Sequence, residues 1–252
     1  MTLITGANGG IGTELVRAFS ARGSNVVIHH LTTDGLEDVE AIARGNDVNY
    51  LSTKADIREP KEVAAMMDAI HERFGRLDNF IGNAAHQVAK PFLDMSNDEI
   101  QAICRTNLEG TMFCSRDALK LMLSNRTPHQ SMVLVGSINS ILPQPVLAIY
   151  AATKGGISSL VTSLAVEFGP EGIIVTGIRP GPIPVPRTVE QNPGYERAWA
   201  SVTPRRKLAQ ASDVANMAVF LCDEQGSALH GQTINVDGGL SVKRITPDVK
   251  PG

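Results

Sequence analysis

No apolar run in the 252 residues reaches the roughly 18 needed for a membrane-spanning helix, so no transmembrane segment is expected. Basic residues are scattered as well. No Lys/Arg block is longer than Arg205, Arg206 and Lys207, and the formal net charge is −3, which excludes the basic footprint of a nucleic-acid binder. The chain enters an apolar strand pattern at once, without the charged lead and cleavage site of a secretory signal, and a cytoplasmic location is expected. Cysteine is sparse: Cys104, Cys114 and Cys222 are odd in number and lack metal-ligand spacing, which points to free thiols in a reducing compartment. Six histidines show no ligand pairing either. His29 and His30, on a strand, would point to opposite faces, so no metal is expected. Linkers, repeats and low-complexity segments are missing from the body of the chain.

What is present is a steady alternation. Strand-like apolar runs at 2–5, 25–30, 48–54, 79–82, 131–137, 173–178 and 232–236 are separated by helical patterns near 10–22, 35–44, 60–74, 97–124, 148–168 and 212–223. Strand–helix alternation with right-handed crossovers predicts an α/β fold, a doubly wound, mostly parallel seven-stranded sheet with helices on both faces. Hydrophobic content of 42% and charged content of 19% suit one sizeable core. The reading is a single domain over 1–240 and a polar tail over 241–252. Residues 180–194 hold five prolines and cannot be a regular helix throughout.

Between the first strand and first helix, TLITGANGGIGTELV places Gly6, Gly10 and Gly12. A tight turn there needs a residue without Cβ, and a pyrophosphate needs close approach to unpaired amides at the positive end of the helix. Further on, Tyr150 and Lys154 stand four apart in YAATK, on one face of a predicted helix, with only small residues between them.

In order along the chain, TGANGGIG, the RLD and GNAA of 76–78 and 82–85, Asn107 in RTNLEG, Ser137 thirteen residues before Tyr150, YAATK, RPGPI at 179–183 and NVDGG at 235–239 resemble the motifs of the short-chain dehydrogenases/reductases. The resemblance covers almost all of residues 2–240. It implies a Rossmann fold and hydride transfer between a nicotinamide and a secondary alcohol or ketone, with Asn107, Ser137, Tyr150 and Lys154 as catalytic residues. The chemistry is consistent with those residue types. A phenol with a pKa near 10 is a poor acid/base at neutral pH, and an ammonium one helical turn away lowers that value. A small hydroxyl on Ser137 at a strand end can hold the substrate oxygen. By resemblance, Lys154 would also bond the nicotinamide ribose and Asn107 would bind a water linking Lys154 to solvent.

The same resemblance assigns cofactor contacts to Gly6, Asn8, Gly10, Ile11, Gly12, His30, Asp56, Ile57, Asn83, Ala84, Ala85, Tyr150, Lys154, Pro180, Gly181 and Ile183. Asp56 would accept from the adenine amino group, Asn83 and Ala84 would pass under the adenosine ribose, and Ile183 would contact the nicotinamide. Two positions depart from the pattern: Ala85 replaces a glycine, and Val185 stands where many members carry a threonine that binds the carboxamide, with Thr188 its substitute if the loop bends. The second strand ends His29-His30-Leu31-Thr32-Thr33 with no acid before Asp34, which favours NADP(H) over NAD(H). His86, just after GNAA, is either an active-site wall or a solvated loop residue. Substrate choice falls to 86–96, 138–149 and 182–205, with Phe92, Leu142, Val146, Leu147, Tyr195 and Trp199; a cyclic or apolar ketone and a 3-oxoacyl group both fit. A homotetramer, or a homodimer, is implied. Two alternatives remain at the level of sequence: a dinucleotide-binding sensor or scaffold without turnover, and an epimerase or dehydratase, whose members usually carry a separate substrate domain.

Overall fold

In the computed structural model residues 1–243 are described, the side chains of Arg187 and Gln191 apart; most of the predicted tail, 244–252, lies outside the described residues. Seven strands form one sheet, β1 (Thr2–Ile4), β2 (Val26–His30), β3 (Tyr50–Lys54), β4 (Asn79–Gly82), β5 (Gln130–Val135), β6 (Ile173–Pro180) and β7 (Thr233–Val236), in the order β3-β2-β1-β4-β5-β6-β7. All six pairings are parallel. Chain order reverses between β1 and β4, and in a doubly wound sheet the crevice opens beyond the carboxyl ends of the strands at that point.

Successive strand residues face opposite cores. Leu3, Val27, Phe80, Met132, Leu134 and Val175 pack with α3 (Pro60–Phe74), α5 (Thr111–Ser124) and α6 (Ala148–Phe168). Ile4, Val26, Ile28, Ile81, Val133, Val135 and Ile178 pack with α1 (Gly10–Ser20), α2 (Leu36–Gly45) and α9 (Ala211–Leu221). Because both faces are covered, the strands read as continuous apolar runs rather than as alternations.

The predicted helix over 97–124 is three pieces. α4 (Asn97–Cys104) starts with a reciprocal capping box between Ser96 and Glu99, a π-helical turn spans Arg105–Gly110, and α5 follows. The proline-rich stretch yields two short helices, α7 (Pro186–Gln191), with Pro186 in its first turn, and α8 (Tyr195–Val202). Val146 adopts φ 63°, an uncommon state for a β-branched residue, and its carbonyl then accepts from the Lys90 amide, tying the loop before α6 to the loop after β4.

Candidate active site

A cleft of about 1120 Å³ runs along the carboxyl edge of the sheet, from the β2 and β3 ends to α8. At its centre Gly6 takes φ 62° as the chain leaves β1, and α1 begins with no side-chain cap on its first amides. Those uncapped amides and the bare Gly10 form a cradle suited to a pyrophosphate. Gly12 has another use. A Cβ there would lie 2.1 Å from the Gly6 carbonyl oxygen, so its bareness lets α1 pack on the loop, and Gly12 does not line the cleft as the cofactor assignment had it.

Thr5 and Asn83 hold the loop in place. Thr5 Oγ1 accepts from the amides of Asn83 and Ala84 at 2.9 and 3.1 Å, and Asn83 Nδ2 donates to the carbonyls of Thr5 and Gly6. The Asn83 amide group is thus spent on the chain leaving β1, and Asn83, Ala84 and Ala85 all line the cleft. Asn8 Nδ2 donates to the carbonyls of Thr32 and Asp34, both at 2.9 Å, and anchors the loop after β2 to the glycine loop.

At the adenosine end the histidine facing the cleft is His29. Its Nδ1 accepts from the Gly6 amide at 3.1 Å, and its Nε2, necessarily the protonated nitrogen, donates to the Ala55 carbonyl at 2.9 Å. Burial pushes the His29 imidazole down to about 4, so it is neutral at pH 7. His30, assigned to the cofactor from the sequence, is buried with Nδ1 near the Thr32 carbonyl and is not part of the cleft wall; strand alternation turns it to the other face. Asp56 lines the wall, with its carboxylate chelated by the Arg58 guanidinium at 2.5–3.0 Å; that hydrogen bonding holds its pKa below the usual carboxylate range. Ile11, Ile57, Pro180, Gly181 and Ile183 also line the cleft. Neither His29 nor Arg58 was assigned a cofactor role from the sequence. Strand parity could have pointed to His29, and only the fold shows Arg58.

At the other end α6 presents Tyr150 and Lys154 to the cleft, as their spacing predicts. The Lys154 ammonium donates to the Val135 carbonyl at 2.7 Å and lies 5.8 Å from the centroid of the Tyr150 ring. Burial pulls its pKa down to about 8. Ser137 sits two residues past the end of β5, in the turn, and faces the same space. Asn107 lies in the π-helical turn, fully buried and off the cleft wall. Its Oδ1 accepts from the His86 amide at 2.6 Å, and its Nδ2 donates to the His86 carbonyl and to Thr153 Oγ1. Both of its amide hydrogens are committed to protein, so its side chain clips the loop after β4 to α6. A π turn inside a helix often marks such a junction.

Val185 leans on the glycine loop: a Cβ on Gly10 would lie 2.5 Å from Val185 Cγ1. Thr188, the proposed substitute for the missing threonine, lines the cleft, and its Oγ1 accepts from the Val185 amide at 3.0 Å as the cap of α7. Of the expected substrate residues, Leu147, Tyr195 and Trp199 line the cleft, whereas Phe92, Leu142 and Val146 are exposed elsewhere. His86 sits on the rim. The Tyr195 and Trp199 rings, one helical turn apart, lie 6.4 Å from centroid to centroid at 58°. Burial, with Tyr150 nearby, pushes the Tyr195 phenol up to about 12 and keeps it neutral. Among the described side chains, the lysines and arginines on the wall are Lys154 and the chelated Arg58. The described residues contain no group of His, Cys, Asp and Glu able to hold a metal, and no helix among them is long and apolar enough to cross a membrane.

Comparisons with known proteins agree with this fold. A family model described as Enoyl-(Acyl carrier protein) reductase matches residues 6–241. The chain is 32% identical over 244 residues to 3beta-hydroxysteroid dehydrogenase 1 of Eggerthella lenta, covering 95% of this chain and 93% of that one. It is 27% identical over 243 residues to glucose 1-dehydrogenase of Gluconobacter oxydans, covering 95% and 91%. Among solved structures, 3-oxoacyl-[acyl-carrier protein] reductase from Brucella melitensis in complex with NAD superposes with a TM-score of 0.90 at 28% identity, covering 97% of this chain and 98% of the other.

Proposed function

The chain belongs to the short-chain dehydrogenase/reductase family, an NAD(P)-dependent oxidoreductase of CH–OH and C=O groups, and from that premise we propose that it reduces an uncharged ring or chain ketone, or oxidises the matching secondary alcohol, with Tyr150 as proton donor and acceptor. The observation that carries this reading is Lys154, buried against the Val135 carbonyl on the face of α6 that also bears Tyr150, at the point where the glycine-loop end of the cleft meets its apolar end. Lys154 Nζ would hold the nicotinamide ribose and favour the Tyr150 phenolate. The α1 amides and Gly10 would take the pyrophosphate, and Ile183 and Pro180 would flank the nicotinamide. Bound there, the nicotinamide supplies or accepts the hydride. Tyr150 then gives its proton to the carbonyl oxygen in reduction and takes it back in oxidation, a role for general acid–base catalysis.

Three features support the substrate class. The Tyr195–Trp199 ring pair gives an apolar wall, Leu147 extends it, and among the described side chains no free cation lines the cleft beside it. NADP(H) is the preferred cofactor, because β2 ends without a carboxylate that would repel a 2′-phosphate. Free cysteines at 104, 114 and 222 support a reducing, cytoplasmic setting.

The test is a panel read by nicotinamide absorbance with both cofactors: trans-1-decalone, an acetoacetyl thioester, glucose, and a 3-oxo acid bearing a free carboxylate. Turnover of the first two with NADPH, at higher kcat/KM than with NADH, supports the reading. A preference for the free acid, or a tenfold preference for NADH, overturns the corresponding part of it.

A further inference from the structure

Ser137 Oγ is held by Asn139. The Asn139 amide N–H lies 3.2 Å from it and Asn139 Nδ2 lies 3.4 Å from it, and Ser137 and Asn139 are both buried. Which end of the Asn139 side chain faces the serine is fixed by a third group. The Gln144 backbone amide can only donate, and it lies 3.2 Å from Asn139 Oδ1; the atom facing Ser137 must therefore be the NH₂. A hydroxyl has two acceptor sites and one hydrogen. Both acceptor sites of Ser137 are filled by donors from Asn139, and among the described residues no hydrogen bond with Ser137 Oγ as donor is found. The remaining direction is into the cleft, which Ser137 lines beside Tyr150.

We propose that Asn139 is a positioning residue that makes Ser137 an obligate donor to the substrate oxygen. This rests on the ketone/alcohol reading of the site. In the reduction direction the carbonyl oxygen accepts hydrogen bonds from Ser137 and Tyr150; hydride reaches the carbon from the nicotinamide, and the developing oxyanion takes the Tyr150 proton, giving the alcohol, the oxidised nicotinamide and the phenolate. Ser137 keeps its hydrogen throughout and stabilises the charge that develops on the oxygen. In oxidation the alcohol accepts from Ser137, so its own hydrogen has one place to go, the Tyr150 phenolate. A serine free to accept would let the alcohol turn its hydrogen the wrong way.

Asn139→Asp tests this, because it keeps the shape and the acceptor for the Gln144 amide while replacing the NH₂ with a carboxylate oxygen. That oxygen draws in the Ser137 hydrogen. The expected result, on whichever of trans-1-decalone or the acetoacetyl thioester the native protein reduces, is a 10- to 100-fold loss of kcat at pH 8, unchanged NADPH affinity by fluorescence, and partial recovery as pH falls and the carboxyl regains a hydrogen to donate. The native protein should follow the titration of Tyr150 alone, so the ratio of variant to native kcat should rise as pH falls. If Asn139 merely braces the turn, Asn139→Asp keeps native kcat and a native pH profile, and the proposal fails. A native protein inactive on the whole panel sinks the substrate reading instead. The hydrogen itself is still readable then: a neutron structure of the native protein should show the Ser137 deuterium directed into the cleft, and a deuterium directed at Asn139 overturns the proposal without any turnover.

Discussion

A Cβ on Gly12 would meet the Gly6 carbonyl oxygen at 2.1 Å and the Ala7 backbone at 2.7 Å, whereas one on Gly10 would meet the side chain of Val185 at 2.5 Å. Backbone cannot give way without moving the loop; a valine side chain on a neighbouring segment can. Gly12→Ala is therefore expected to lower Tm by several degrees, following an overpacking cost of about 1–3 kcal/mol, and to abolish NADPH binding. Gly10→Ala should keep the fold and weaken binding only. Thermal unfolding and NADPH fluorescence on both variants check this, and equal Tm values would contradict it. At this scale the sequence was legible where function depends on spacing. Ser137, Tyr150 and Lys154 meet in the cleft because a strand end and two positions one helical turn apart leave little freedom. It was less legible where a single letter hides two uses. Gly12 serves packing, Asn83 and Asn107 spend their amides on neighbouring backbone, and parity at the β2 end turns His29 rather than His30 to the cleft.

Elements were legible from pattern, and their interruptions were not. The six predicted helical stretches and all seven described strands fall where apolar periodicity places them, but nothing in the apolar spacing of 97–124 announces the π-helical turn at Arg105–Gly110, whose Asn107 bonds the His86 loop and Thr153. The proline-rich segment still forms α7 because Pro186 falls in the first turn, where a missing N–H costs nothing. The ends of β1 and β3 are joined across β2 by neutral His29, between the Gly6 amide and the Ala55 carbonyl. This link makes stability depend on pH. The folded protein holds His29 at about 4, below its ordinary 6.5, so between those values the unfolded chain binds more protons. The contribution is complete above pH 6.5 and is lost as pH falls toward 4, with a slope of up to about 1.4 kcal/mol per pH unit. Denaturant unfolding of the native protein and of His29→Gln at pH 7, 6, 5 and 4.5 should show a shallower acid dependence for the variant; parallel curves would remove His29 from the account.

Across the whole molecule, the apolar stripe of α6 is accounted for by the chain's own sheet. Ile157, Val161 and Ala165 are buried in that core, and Leu160, Leu164 and Phe168 pack on it. Other apolar side chains stay exposed on the outer helices, Val166 on α6, Met112 on α5 and Phe220 on α9. The homotetramer that the family resemblance implies would appear in light scattering at micromolar concentration as a mass about four times the 26.9 kDa chain; a monomer would refute it. The doubly wound parallel sheet with helices on both faces followed from the strand–helix alternation, while its strand order and the cleft at its carboxyl edge are read from the fold. The substrate wall followed in part: Leu147, Tyr195 and Trp199 line the cleft as expected, whereas Phe92, Leu142 and Val146 turn away. The central claim is that this cleft moves a proton through Tyr150, and the most direct measurement is the turnover of Tyr150→Phe on a ketone the native protein reduces. The account predicts a fall in kcat of about 10²- to 10⁴-fold with NADPH affinity nearly unchanged, while Lys154→Ala loses both. A Tyr150→Phe protein with near-native kcat would contradict it.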